Sequence, residues 1–219
     1  MRIPFKWADL KVNRVIRFFI AADLMLFGGW GLVLPIFALF IMDRIEGANL
    51  VVVGAATAVY WFTKSAFQIP VAVLLDRNKG ETDDFKVLIT AFLLAGFSVL
   101  CYLLVHTVTG LLFVSFLQGI AFGLYVPAWS ALFSRHLDKE HYSLDWSLDS
   151  TALGFAAGIT GLVGGILAAS VGFNAVFIFA AVLSFSSAVL LMSVPDLIFP
   201  KKTSQEGLVQ DHTPSNIQR

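Results

Sequence analysis

Residues 18–42 read FFIAADLMLFGGWGLVLPIFALFIM. A single charge, Asp23, interrupts an apolar run long enough to cross a bilayer, which takes about 20 apolar residues in a helix. Five more runs of this kind follow, at roughly residues 50–75, 87–105, 109–133, 150–171 and 174–194. Hydrophobic residues make up 58% of the 219 and charged residues only 14%, which leaves almost nothing for a soluble domain. The sequence predicts an all-α membrane protein with a six-helix transmembrane bundle over residues 18–194. Residues 195–219 are polar and without periodicity, and are expected to form a disordered tail.

The first apolar run is too long for the core of a signal peptide, and no small-residue cleavage site follows it. Residues 1–17 interleave Arg2, Lys6, Lys11, Arg14 and Arg17 with Ile3, Phe5, Trp7 and Leu10. That mixture suits a segment lying at the headgroups, with membrane lipid as its partner. With the N-terminus in the cytoplasm, thirteen of the fifteen Lys and Arg fall on the cytoplasmic side. Arg44 falls outside, and Lys64 lies within a span. This bias predicts that residues 1–17 and the tail are both cytoplasmic. The expected location is the plasma membrane of a prokaryote.

Several function classes are disfavoured. The formal net charge is zero, which gives no basic field for nucleic acid. The single cysteine, Cys101, lies in the third run and reads as a small packed side chain. His136 and His141 share a loop with Asp138 and Glu140, read as solvated rather than metal-binding. No cofactor is implied and no catalytic constellation is visible, so the chain does not read as an enzyme.

Residues 31–35 read Gly-Leu-Val-Leu-Pro, and residues 123–127 read Gly-Leu-Tyr-Val-Pro. The first lies in span 1 and the second in span 4, which run in opposite directions. The match points to a three-plus-three inverted repeat, a pattern common in secondary transporters. A Gly and a Pro within a span also weaken the helix locally.

Polar groups at membrane depth are costly, and they face a cavity or a partner. Thr57, Trp61, Lys64 and Gln68 share one face of span 2, with Tyr60 beside them. Lys64 can reach toward Asp23, and three readings stand: a structural ion pair, a substrate or coupling path, or snorkelling to lipid. Gln118, Phe122, Tyr125 and Trp129 share one face of span 4. They form either a binding surface for an amphipathic organic solute or an aromatic packing stripe.

The loop after span 2 reads Leu75-Asp76-Arg77-Asn78-Lys79-Gly80-Glu81. Span 5 carries Gly158, Gly161, Gly164 and Gly165. With six spans and both ends inside, the chain resembles one six-helix half of a major facilitator superfamily transporter over residues 14–195. Asp76 and Arg77 match the family's loop signature. Ala72 stands where a Gly is expected, Gly80 comes one residue late, and Glu81, Asp83 and Asp84 replace basic residues. Span 5 lacks the family's Pro.

The resemblance implies two such bundles around a central cavity lined by spans 1 and 4. One chain carries one bundle, so the expectation is a half-size secondary transporter of a small solute, acting by alternating access as a homodimer. The alternatives are a non-transporting membrane scaffold and one half of a hetero-dimeric transporter. Gly154, Gly158, Gly161 and Gly165 lie on one face of span 5 and are expected to contact the second bundle. Resemblance also implies a gate, in which Asp76 docks on the start of the opposite span 5. Arg77 is then placed to pair with Asp145 or Asp149 at the same helix end.

The orientation is directly testable. Cysteines placed at Asn49 and Thr109 should be labelled from outside, and those at Asn78 and Ser204 only after permeabilisation. The reverse pattern would end the transporter-half reading.

Overall fold

A computed structural model describes residues 13–77, 80–137 and 141–194. Helices α1 (Arg14–Val33) and α2 (Phe37–Arg44) make the first span, joined by a 3-10 turn at Leu34–Ile36. The second is α3 (Leu50–Arg77). The third is α4 (Glu81–Cys101), prolonged by a 3-10 turn at Tyr102–Leu104. Then come α5 (Val108–His136), α6 (Tyr142–Ser170) and α7 (Phe173–Met192). All six spans are long and apolar enough to cross a membrane, and the described residues contain no strand.

The helices outrun the apolar stretches because their ends are polar in the right sense. The Asn13 side chain accepts from the Val15 N–H at 3.0 Å and starts α1, so Arg14 and Arg17 belong to the first helix and not to a preceding segment. Residues 1–12 and the tail over 195–219 lie outside the described residues. Glu81, Asp83 and Asp84 occupy the first turn of α4, and Arg135 and His136 the last turn of α5. Acids favour the positive end of a helix and bases the negative end. The fifth span was expected to begin near residues 148–150. It begins at Tyr142, so Asp145 and Asp149 are helical.

Helices α4 and α5 bring those opposite ends together. Arg135 pairs with Asp84, whose side chain is buried. His136 Nε2 lies 3.8 Å from Glu81, and its ring packs on Phe19. The Asn13 amide reaches the His136 carbonyl at 3.4 Å. His136 is therefore not a solvated loop residue, as its composition suggested, and Arg135 lies in the same helical turn. At the other end of the bundle the Glu46 N–H donates to the His106 carbonyl at 2.9 Å, beside an isolated parallel bridge from Glu46 to Thr107. Gly47 turns that loop with a φ of 74°.

Packing follows a regular plan. The first span packs on α6 and α7, the fourth on α3 and α4, and α4 packs on α7. Exchanging the first span with the fourth, the second with the fifth and the third with the sixth maps this plan onto itself. Glycines set the closest approaches. A Cβ on Gly31 would collide with Thr160, and one on Gly164 with the Leu32 carbonyl. A Cβ on Gly119 would sit 2.8 Å from the Tyr60 carbonyl, and one on Gly123 3.0 Å from that of Lys64. Gly31 and Gly123 open the two matching motifs, and each presses on its neighbouring span. The prolines differ. Pro35 lies in the turn that breaks the first span, and Pro127 lies inside the continuous α5.

Among the described residues, the expected glycine face on α6 is open. Nothing lies within 4 Å of a Cβ on Gly154, Gly158 or Gly165, and Gly161 meets only Pro35 and the Gly31 carbonyl. Gly164, on a different face, makes the tight contact. In the most apolar stretches of α3 and α6 only 11% of residues are buried, against 44–56% in the other four spans.

Gly164 and Gly165 provide a matched test. Gly164→Ala forces a methyl against backbone, and overpacking of this kind costs roughly 1–3 kcal/mol. Thermal unfolding in detergent should show a lower Tm for Gly164→Ala than for Gly165→Ala, whose methyl meets no described residue of its own chain. Equal transitions would mean that α1 and α6 do not touch at this point.

Candidate functional site

A cavity of about 230 Å³ opens among the first span, α3 and α5, where the two apolar cores of the bundle meet. One core gathers around Phe19, Phe92 and Phe133, and the other around Phe40, Tyr102 and Phe177. The cavity walls are aromatic. Trp30 stacks on Tyr60 at 6.1 Å between centroids, and Phe122 lies 5.9 Å from each. Phe27 meets Tyr125 edge-on at 5.8 Å. Separations of 4.5–7 Å are those at which aromatic pairs attract.

The polar groups of the cavity come from three spans. Lys64 extends from α3 and holds its Nζ 4.7 Å from the centre of the Trp61 ring. Gln118, from α5, is buried, and its Oε1 accepts from the Tyr102 hydroxyl at 2.9 Å. The Gln118 Nε2 has no hydrogen-bond partner in the described residues. Tyr125 donates its hydroxyl to Asp23, which lies buried behind it. Asp149 of α6 is also buried, with its Oδ1 unpartnered among the described residues, and lies within electrostatic reach of Asp23 and Tyr125.

Lys64, Gln118 and Tyr125 meet at one cavity. The expected approach of Lys64 to Asp23 does not occur. Tyr125 stands between the two spans and takes the Asp23 carboxylate, while Lys64 turns to Trp61. Trp129 is not in the cavity either. It stacks on Phe133 at 4.5 Å and meets Trp146 of α6 edge-on at 5.7 Å. Gln68 lies beyond the cavity wall, its backbone beside Gly123.

Asp76 and Arg77 are exposed at the end of α3, and neither has an ion pair among the described residues. Asp145 and Asp149 face into their own bundle, since their positions share the buried face of α6 with Ala156 and Gly164. An Arg77 arriving from outside the bundle would not find them.

Tyr102, Ser115 and Trp30 were not picked out by sequence reasoning. Tyr102 follows the last residue of α4 and is carried inward by the 3-10 turn, which no apolar count reveals. The Asp84–Arg135 pair escaped for a different reason, since both residues flank apolar runs and read as loop charges.

The family model described as Major Facilitator Superfamily matches residues 19–214. No curated protein matches the chain. Among solved structures, the in meso crystal structure of the POT family transporter PepTSo is similar, with a TM-score of 0.64 and 19% sequence identity. The match covers 84% of this chain and 37% of that one, so the chain spans well under half the length of the transporter it resembles. At that identity the likeness speaks for the fold alone, while the family model covers most of the sequence: the chain belongs to the major facilitator superfamily.

Proposed function

We propose that the chain is a half-size secondary transporter that moves a small solute by alternating access as a homodimer. The observation that carries this reading is the position of the cavity. One of its walls is α3, a span with few partners inside the chain, and α6 is equally bare. A second copy laid against α3 and α6 would cover both and enclose the cavity between two bundles. Two copies in one membrane share their topology, so a closed two-fold pairing needs no further condition.

The open glycine face of α6 suits this arrangement, because small residues let helix backbones approach closely in lipid. The packing plan, which survives exchange of the two halves of the bundle, supports a three-plus-three repeat. Asp76 is exposed and free to dock on the N-terminus of α6 in the other copy, where unpaired N–H groups carry partial positive charge. Asp145 and Asp149 take no part in that lock, because they face inward.

Two-tag co-purification should recover both tags together and give a dimer on sizing. A different protein in place of the second tag would indicate a hetero-pair. A cysteine at Thr57, which lines the cavity, in a Cys101→Ala background should be labelled from both sides of the membrane. Labelling from one side only would oppose alternating access.

Each Asp76 lock is worth about 0.3–2 kcal/mol, enough to bias two states without freezing them. Asp76→Asn should therefore shift Thr57 labelling toward the cytoplasmic side. Unchanged labelling would leave Asp76 a solvated loop acid.

A further inference from the structure

We propose that the cavity takes a small planar aromatic monoanion. This assignment deepens the transport reading and rests on it for its physiological meaning. Flatness comes first. Trp30 and Tyr60 are stacked, and Phe122 approaches both, so the walls present ring faces and edges. One copy contributes about 230 Å³, below the ~300–1,000 Å³ of drug-sized pockets, so the part of the occupant that one copy holds is small.

The sign of the charge follows from the polar atoms. An aromatic cage on its own attracts cations. Here Lys64 already sits beside Trp61 and is the one charged side chain among the cavity's lining residues. A second cation would meet its ammonium at short range in a poorly solvated space, where like-charge repulsion outweighs attraction to a ring. An anion would gain from the same lysine.

The second, independent observation is the Gln118 amide. Its oxygen is occupied by Tyr102, while its Nε2, on a side chain 1% exposed, has no acceptor in the described residues. A buried donor left unpaired is costly, and an amide nitrogen offers two N–H groups. Among the hydroxyls, Thr57 donates to the Val53 carbonyl, Tyr125 to Asp23 and Tyr102 to Gln118, while the buried Ser115 Oγ has no partner among the described residues. The unused capacity of the cavity includes one ammonium, one amide NH₂ and the Ser115 hydroxyl, each able to donate. A carboxylate on a flat ring system accepts from such donors and brings no proton of its own.

Equilibrium dialysis of the purified full chain in detergent, with radiolabelled cinnamate as probe, tests the assignment. Cinnamamide and cinnamylamine, the neutral and cationic counterparts, serve as competitors. Cinnamate should bind at least about tenfold more tightly than cinnamamide, and cinnamylamine should not compete. Lys64→Met should bring cinnamate and cinnamamide to equal affinity, and Lys64→Arg should keep the preference. Gln118→Met should weaken both acceptors, which gives a second reading if Lys64→Met fails to fold.

Absence of cinnamate binding by wild type would overturn the proposal. So would cinnamylamine binding as tightly as cinnamate, or an anion preference that survives Lys64→Met. The two readings separate cleanly. Two-sided labelling of Thr57 without anion preference would leave transport standing and remove this assignment. Anion-selective binding with one-sided labelling would do the opposite.

Discussion

Close backbone contact at a handful of glycines is the condition on which the bundle rests. Lipid tails are as apolar as leucine, so helices in a bilayer gain little from burying apolar surface against one another. They associate by fitting closely. Gly31 and Gly164 let the first span and α6 touch backbone to backbone, and Gly119 and Gly123 do the same for α5 and α3. Larger residues at these points would part the helices and widen the space that Trp30, Tyr60 and Phe122 now line. The cavity is therefore a product of the glycine contacts as much as of its own side chains.

Much of this was legible in the sequence. Six apolar runs define six spans, and the motif shared by residues 31–35 and 123–127 falls where spans press together. The cavity face of α5 was also readable, because Gln118, Phe122 and Tyr125 recur at helical spacing. Trp129 continues that spacing but leaves the cavity, since the aromatic contacts to Phe133 and Trp146 hold it between α5 and α6. Periodicity gives the face of a helix but not which neighbour occupies each level of it.

What escaped was pairing across distance. Lys64 and Asp23 are the obvious opposite charges, yet neither chooses the other. Asp23 takes the nearer hydroxyl of Tyr125, and Lys64 finds the Trp61 ring one turn away. The rotamer each side chain adopts depends on contacts between spans that spacing along one span does not contain. Gly164 illustrates the same point. It stood in the glycine-rich run of the fifth span, but the face it occupies, and hence its role against Leu32, depends on how α6 is rotated in the bundle.

The fastenings at the two ends of the bundle have a mechanical consequence. Asn13, Asp84, Arg135 and His136 tie the start of the first span, the start of α4 and the end of α5. At the far end Glu46 ties the loop after the first span to the loop before α5. Spans clamped at both extremities resist splaying, so a load applied at one end is transmitted along their length instead of being lost in slack loops. The bare flank of α3 and α6 lies apart from these fastenings.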